Sequence, residues 1–134
     1  MAMQISNYLS AALLNQAFRN ATWTPPGTVY LALYTSDPTA ADTGTEVSGG
    51  AYARQAIAFG AAAVEGGKMT VKSSADVAFP IATADWGLVT HVGLRTASTG
   101  GNLLCSQALA NQRSVLVGDT PKFLAGSTLV RFAQ

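Results

Sequence analysis

The stretch DVAFPIATADWGLVTHVGL, residues 76–94, predicts a strand, a tight connection and a second strand. Proline has no amide hydrogen to donate to a sheet, so we expect the first strand to end near Phe79, just before Pro80. Residues 89–94 are β-branched and apolar enough to favour a strand inside a sheet. Trp86 lies at the corner, where it is the largest apolar side chain available for burial. The stretch therefore predicts two strands around a buried tryptophan, and it implies no catalytic group.

Segments typical of short strands recur along the rest of the chain at intervals of roughly ten residues, with turn-forming residues between them. They are residues 28–35, 51–59, 68–72, 103–108, 113–117, 122–124 and 128–132. Such spacing is typical of a β-sandwich or a barrel. The length of 134 residues fits a single domain over residues 1–134. The fold class that we expect is mainly β, with antiparallel strands.

Two of these segments and one connection between segments allow a more specific structural prediction. Residues 28–35 are apolar on both faces, which is typical of a central strand or of one whose second face meets the helix or a partner. Residues 68–72 have a lysine at each end, which predicts an edge strand. Gly118 and Asp119 predict a hairpin turn.

Residues 5–19 predict one N-terminal helix. Apolar residues recur through this segment at three- and four-residue spacing, and Ser6 can cap its start. Pro25 and Pro26 forbid its continuation. Such a helix covers one end or face of a sheet, or it docks on another subunit, and the sequence leaves both possibilities open.

The chain has an unusually low content of charge. Charged residues make up 11% of it, less than half of the usual share of about 25%. A soluble monomer keeps apart from its neighbours partly by charge, so part of this surface is expected to be covered by other subunits. Because residues 28–35 are apolar on both faces, and the chain is too small to bury all its bulky side chains, we predict a homodimer or homotrimer.

Several classes of partner are not expected. The net charge is +1 and the basic residues are scattered, which argues against nucleic acid. No apolar run is long enough to span a membrane, so no membrane association is expected. The first residues lack the basic and apolar regions of a secretion signal, so we expect synthesis in the cytoplasm.

Residues 36–50, SDPTAADTGTEVSGG, predict a long loop. Asp37, Asp42 and Glu46 offer oxygen ligands of the kind that Ca²⁺ binds. Their spacing matches no EF-hand, and Asp-Pro and Asp-Thr-Gly are common in turns, so structural turns are favoured over a metal site. A loop of this length in a small domain is often functional, and we interpret it as a contact arm.

The residue types that carry out catalysis are not grouped in the sequence. His91 and Cys105 are the only residues of their kinds, which argues against a zinc site. Asp76 and Asp85 flank the central connection, where turn residues are favoured over a glycosidase pair. The glycines form no dinucleotide or P-loop motif. We expect a hydrogen-bonded sheet histidine, an unreactive core thiol, no enzymatic activity and no cofactor.

Several segments of the chain together resemble small virion proteins of tailed bacteriophages, which are commonly labelled tail-fibre or head-decoration proteins. The segments are residues 6–20, 24–60, 75–94, 100–104 and 118–126, and the most specific motifs are LALYTSDPT (31–39), SGGAYARQ (48–55) and FPIATADWGLVTHVG (79–93). The resemblance implies a compact antiparallel β-sandwich, jelly-roll-like, that assembles on the virion as dimers or trimers. It implies no enzymatic activity and no cofactor.

The resemblance leaves two functions open. The main expectation is a capsid decoration or cement protein that bridges neighbouring major capsid proteins, because 134 residues without a shaft or coiled coil make a poor fibre. The alternative is a tail-fibre or tail-tip module, partnered by tail proteins, that binds a receptor on the host surface. The residues predicted to contact a partner are aromatic residues and polar residues of the loop: Tyr8, Trp23, Tyr30, Tyr34, Asp37, Thr39, Asp42 and Glu46.

Overall fold

The run that follows Trp86 forms a nine-residue strand, β7 (Gly87–Arg95), in a computed structural model that describes residues 3–131. In these residues the structure has ten strands and one helix, α1 (Asn7–Arg19). The other strands are β1 (Gln4–Ile5), β2 (Val29–Tyr34), β3 (Gln55–Ile57), β4 (Ala63–Glu65), β5 (Lys68–Lys72), β6 (Val77–Ala78), β8 (Leu103–Val115), β9 (Lys122–Phe123) and β10 (Leu129–Arg131). With 40% strand and 10% helix, the fold is mainly β, as predicted.

The described strands form antiparallel sheets that pack together as a β-sandwich. The five-stranded sheet has the order β1-β8-β7-β2-β3, the three-stranded sheet β10-β5-β4, and the last sheet pairs β6 with β9. In the pairing of β2 with β7, Tyr30 lies opposite Arg95 and Tyr34 lies opposite His91. Residues directly opposite in antiparallel strands share a face, so these four side chains lie on one face of the five-stranded sheet.

The main core lies on the other face of this sheet. There Leu31 and Leu33 of β2 meet Val92 and Leu94 of β7, all of them buried. Alternate residues of a strand point to the same face, which explains why these positions recur with a period of two.

Trp86 is buried in this core with 5% of its surface exposed, as predicted. Its indole Nε1 donates a hydrogen bond of 2.8 Å to the carbonyl oxygen of Gly50, which satisfies the polar group of the buried ring. Its ring packs edge-on against Tyr52 and Phe79, at centroid distances of 5.4 and 6.5 Å. Phe79 follows β6 directly, so that strand ends where Pro80 requires it to end.

Both faces of β2 are buried within the same chain. Ala32 and Tyr34 lie in a second buried cluster with Leu103, on the face opposite the main core. Because β2 lies between β3 and β7, the prediction of a central strand is confirmed. The apolar groups on both faces of residues 28–35 are therefore covered within the chain, with the loop of residues 36–50 held over Tyr34 by Arg95. Association of copies of the chain stays a prediction.

The prediction that residues 68–72 form an edge strand is also wrong. The strand itself is present as β5, but it lies between β4 and β10. Its terminal lysines therefore do not protect a free edge of the sheet. Lys72 forms an ion pair of 2.9 Å with Glu65 of β4.

The two strands predicted over residues 103–108 and 113–117 are one strand, β8. Val89 of β7 lies opposite Arg113 and His91 lies opposite Ala108, so residues 109–112 bulge where the predicted break lies. A turn is present at Gly118, but it joins β8 to β9 in a different sheet and makes no hairpin. The last predicted strand is β10, and Phe132 lies outside the described residues.

The predicted helix is present as α1. The side chain of Ser6 accepts a hydrogen bond of 3.1 Å from the amide of Leu9, so Ser6 is the N-cap, as predicted. The helix ends at Arg19, before Asn20 in the left-handed conformation. It begins after Ile5 because Gln4–Ile5 pairs with β8. Within residues 3–131, the structure has no helix that is long and apolar enough to cross a membrane.

Candidate functional site

The loop of residues 36–50 folds back onto the five-stranded sheet. The amide of Thr35 donates to the carbonyl oxygen of Thr45 at 2.9 Å, which turns the chain back along β2. Pro38 and Val47 are buried, so the loop contributes to the interior. It is therefore a cover over the sheet and not an arm that reaches away from the body.

Arg95, the last residue of β7, holds the middle of this loop. Its Nη1 and Nη2 donate to Oδ1 and Oδ2 of Asp42 at 2.8 and 3.0 Å, the two-point geometry of a strong ion pair. Nη1 also donates to the hydroxyl of Tyr34 at 2.9 Å. Burial alone would lower the pKa of Arg95, but the hydrogen bonds to Asp42 and Tyr34 raise it above its ordinary value. The guanidinium is therefore a permanent charge under the loop.

Arg54 holds Glu46, near the end of the same loop. Its Nε and Nη2 donate to Oε2 and Oε1 of Glu46 at 2.8 and 2.7 Å, and the hydroxyl of Tyr52 donates to Oε2 at 2.6 Å. Burial alone would raise the pKa of Glu46, but the hydrogen bonds from Arg54 and Tyr52 lower it below its ordinary value. The carboxylate is therefore ionised at neutral pH.

Both arginines also bind the turn of residues 96–102, which joins β7 to β8. Arg54 Nη1 donates to the carbonyl oxygen of Gly100 at 2.8 Å, and Arg95 Nε donates to the same oxygen at 3.4 Å. Residues 36–50 and 96–102 are therefore fixed to each other through two buried cations. We call these two segments the clamped loops.

The outer side of the clamped loops is polar and carries little charge. Asp37 is exposed, and its Oδ1 accepts a hydrogen bond of 2.8 Å from the amide of Thr39. The hydroxyls of Thr39 and Thr43 lie 2.9 Å apart and form a hydrogen bond. The exposed polar residues of the clamped loops are Ser36, Asp37, Asp42, Thr43, Thr45, Ser48, Ser98, Thr99 and Asn102.

Four of the predicted partner residues belong to the clamped loops: Asp37, Thr39, Asp42 and Glu46. Tyr34 lies beneath them with 1% of its surface exposed, so its side chain supports the loops and offers no surface to a partner. Tyr30 is half-buried and lies opposite Arg95. Contact of the exposed residues, Asp37 and Asp42, with a partner stays a prediction.

Tyr8 is a residue of α1 and Trp23 lies beside it, whereas the other predicted partner residues belong to β2 or to the loop of residues 36–50. The indole Nε1 of Trp23 donates to the hydroxyl of Tyr8 at 3.2 Å, and Tyr8 is 39% exposed. One backbone hydrogen bond of 2.8 Å, from the amide of Asn7 to the carbonyl oxygen of Ala40, joins the start of the helix to the loop. The predicted partner residues therefore occupy two surfaces.

The sequence reasoning missed Arg54, Arg95 and Tyr52, which organise the site. A usable signal was present, because Arg95 directly follows the predicted strand of residues 89–94 in a chain with only eight lysine and arginine residues. A positive charge at the end of a buried strand requires an acidic partner nearby, and the loop of residues 36–50 carries three acidic residues.

His91 and Cys105 are placed as expected. His91 lies in β7, half-buried, with Nδ1 2.7 Å from the hydroxyl oxygen of Thr90. Cys105 is a buried free thiol in β8, and burial raises its pKa to about 11, which disfavours the reactive thiolate.

The acids of the loop do not converge. Asp42 and Glu46 each bind a different arginine, and Asp37 caps a turn. Residues 3–131 contain no group of three or more His, Cys, Asp or Glu side chains placed to hold a metal ion. An open groove of about 550 Å³ lies between β8 and β9, lined in part by Arg113 and Lys122.

Comparison with known proteins identifies a phage family. The family model described as "Podophage GP4 fiber I protein gp80" matches residues 4–131, nearly the whole chain. Among curated proteins, none matches the chain. The predicted resemblance to phage virion structural proteins is confirmed, and the match supports the tail-fibre alternative. It does not support the main expectation of capsid decoration.

Proposed function

The chain belongs to the family described as podophage GP4 fiber I protein gp80, and from this we propose that it is a tail-fibre or tail-tip module whose clamped loops bind a receptor on the host surface. The observation that carries the proposal is the family match over residues 4–131. The proposed role is binding alone, in the virion, next to tail proteins and without a catalytic step or a cofactor.

The order of the clamped loops supports a role in binding. Asp42 and Glu46 are each held by two-point hydrogen bonds to a buried arginine, and both arginines reach the carbonyl oxygen of Gly100. A surface that is already ordered loses little conformational entropy when a partner binds, so more of the contact energy appears as affinity. A loop held this firmly is suited to recognition by shape.

The composition of the clamped loops indicates the kind of receptor that fits. Their exposed side chains, such as Thr43, Ser98 and Thr99, are mostly hydroxyls, each of which can donate and accept a hydrogen bond. Exposed Asp37 adds a carboxylate acceptor. A receptor rich in hydroxyl or amide groups matches this surface better than an apolar or strongly acidic one.

The test is adsorption of phage that carries the variant Ser98→Arg/Thr99→Arg. Both side chains are exposed on the clamped loops, so long charged side chains there should block contact without unfolding the protein. We expect the adsorption rate to fall about tenfold or more. The matched control is Thr120→Arg, an exposed residue between β8 and β9, which should leave adsorption unchanged.

The location of the protein on the particle is the second measurement. Immunogold labelling in electron microscopy should mark the tail. Label on the capsid shell would overturn the proposed tail location. Label on the tail with unchanged adsorption of the Ser98→Arg/Thr99→Arg phage would overturn only the role of the clamped loops.

A further inference from the structure

A group of exposed aliphatic side chains lies at the end of the molecule where β7 begins. Each of its members is between 46% and 64% exposed. A soluble protein rarely leaves several large aliphatic side chains together in water, and where it does they mark a site of interaction. We call this group the aliphatic patch, and its residues are Ile81, Leu88, Leu116 and Val117.

The aliphatic patch comes from two segments that are joined by backbone hydrogen bonds. The amide of Gly118 donates to the carbonyl oxygen of Ala82 at 2.8 Å, and the amide of Ala82 donates to the carbonyl oxygen of Asp119 at 2.9 Å. Residues 81–88 and 114–119 therefore form one continuous surface. Because this surface is ordered before a partner arrives, binding there costs little conformational entropy.

Two carboxylates beside the aliphatic patch carry charges that the chain does not neutralise. Oδ1 of Asp85 accepts a hydrogen bond of 3.0 Å from the amide of Val117, and Oδ2 of Asp119 accepts one of 2.9 Å from the amide of Leu116. Within residues 3–131, neither carboxylate forms an ion pair with a basic side chain. The other five acidic residues of the chain each have a basic partner: Asp37, Asp42, Glu46, Glu65 and Asp76.

The basic residues that lie closest along the chain leave these charges unpaired. Arg113 lies opposite Val89 of the main core, so it lies on the inner face of the five-stranded sheet and lines the groove between β8 and β9. Lys122 lines the same groove, and its Nζ lies 3.4 Å from Oδ2 of Asp76. Asp119 also borders the groove, but it forms an ion pair with neither cation.

An apolar surface with unpaired acids beside it indicates the chemistry of the partner. Aliphatic side chains are covered best by other apolar side chains, and carboxylates at the edge of a contact favour basic groups on the other side. An anionic lipid surface would meet repulsion from Asp85 and Asp119. A second copy in a two-fold contact would place the same acids against each other. A protein surface with an apolar centre and lysine or arginine around it matches both features.

The aliphatic patch lies far from the clamped loops. Leu88 is the second residue of β7, and Arg95, which holds the clamped loops, is the last. At about 3.4 Å per residue, the two ends of this strand are roughly 27 Å apart. A partner bound to the aliphatic patch would therefore leave the clamped loops free.

We propose that the aliphatic patch attaches this chain to another protein of the virion, one whose contact surface is apolar at its centre and basic at its edge. The proposal rests on the family membership, which makes the chain a virion component. It does not depend on the binding of a receptor by the clamped loops.

The test is binding of the purified full chain to phage particles that were assembled without it, measured by co-sedimentation. We expect the wild type to bind and the variant Ile81→Thr/Val117→Thr to bind at least about tenfold more weakly. Threonine keeps the branching at Cβ but is polar, so the backbone should be unchanged. The matched control is Val64→Thr/Leu124→Thr, which changes two similarly exposed aliphatic residues elsewhere and should bind like the wild type.

A second variant, Asp85→Asn/Asp119→Asn, tests the role of charge. Asparagine keeps an oxygen that can accept from the amides of Val117 and Leu116, so the local structure should persist. We expect this variant to bind the particles more weakly than the wild type at low salt. Raising the salt from about 0.05 to about 0.5 M should weaken binding of the wild type more than that of the variant, because salt screens the attraction between exposed charges.

Two further measurements examine the other occupants of the aliphatic patch. The wild type should not bind vesicles of phosphatidylcholine and phosphatidylglycerol, and Ile81→Thr/Val117→Thr should have the same mass in solution as the wild type by sedimentation. Binding to vesicles that this variant loses would identify a lipid surface as the occupant. A change of mass would identify a second copy of the chain. Either result would overturn the proposal.

Variants outside the aliphatic patch separate attachment from the proposed contact with a receptor. Both Ser98→Arg/Thr99→Arg on the clamped loops and Thr120→Arg should bind the particles like the wild type. The proposal would be wrong if either of these variants lost binding, if the wild type did not bind the particles, or if Ile81→Thr/Val117→Thr bound as tightly as the wild type.

Discussion

Gly93 makes room for the side chain that connects the sheet to the clamped loops. A Cβ atom at Gly93 would lie 2.8 Å from Cε2 of Tyr34 and 2.9 Å from Cδ1 of Leu103. The ring of Tyr34 therefore lies directly over the glycine, and from there its hydroxyl reaches Arg95 at 2.9 Å. A single missing side chain thus allows the buried tyrosine to support the arginine that holds the loop.

The substitution Gly93→Ala should therefore destabilise the protein by about 1–3 kcal/mol, the usual effect of adding a methyl group to a filled core. Denaturant unfolding followed by tryptophan fluorescence measures it. The matched control is Gly27→Ala, where no atom lies within 4 Å of the added Cβ, and its effect should stay within about 0.5 kcal/mol. Equal effects of the two substitutions would show that the space over Gly93 is not tight.

At the scale of elements, the long loop and the strands depend on each other. Residues 36–50 meet the second face of β2 at Tyr34, whose hydroxyl accepts a hydrogen bond from Arg95 while Arg95 holds Asp42 of the loop. The loop in turn has no helix or sheet of its own beyond the single bridge between Glu46 and Tyr34. Its order comes from backbone hydrogen bonds to the end of β2, from the burial of Pro38 and Val47, and from the two arginines beneath it. Removing the loop as a whole would uncover the sheet, which is why point variants test its function better than shortening.

The clamp at Glu46 should make stability depend on pH. The pKa of Glu46 in the folded protein lies below its ordinary value of 4.5, so the ionised carboxylate stabilises the fold above pH 4.5. That contribution is lost as the pH falls through the lowered pKa. Glu46→Gln should therefore cost about 1–3 kcal/mol at neutral pH, and the difference from the wild type should shrink in acid.

Unfolding free energies of both proteins, measured from neutral to acidic pH, check this expectation. Glu65→Gln is the control, because the pair of Glu65 with Lys72 is about half exposed on both sides and should contribute little. A difference between Glu46→Gln and the wild type that stays constant down to low pH would contradict the role given to the carboxylate.

At the scale of the whole molecule, the five-stranded sheet is the structural centre. Its strand β8 pairs with β1 on one side and β7 on the other, and Cys105 lies between Ile5 and Leu94 in this arrangement. Only 3% of Cys105 is exposed. The thiol can meet a reagent only when this sheet opens, so it reports on unfolding of the molecule as a whole.

In the native protein near neutral pH, we expect Cys105 to react with an aromatic disulfide reagent no faster than the protein unfolds. The raised pKa, about 11, further lowers the amount of reactive thiolate. In concentrated guanidinium chloride, one thiol per chain should react at once. Fast and complete labelling of the native protein would mean that β8 opens without global unfolding.

The sequence by itself determined the features that depend on local chemistry. The end of a strand before Pro80 follows from the missing amide hydrogen of proline, and the start of the helix follows from the cap at Ser6. The burial of Trp86 and the central place of β2 follow from large apolar surfaces that water excludes. These predictions held because each depends on a residue and its near neighbours.

The tertiary structure alone decided what covers each surface. The hydrophobic effect is not directional, so the apolar pattern of β2 could not show whether its second face meets a partner or a loop of the same chain. The pairing of strands placed β5 in the middle of its sheet despite its lysines. The ion pair between Asp42 and Arg95 joins residues that lie 53 positions apart, and such contacts form only after distant strands have paired. The candidate site depends on such long-range contacts, and these cannot be predicted from a residue and its neighbours in the sequence.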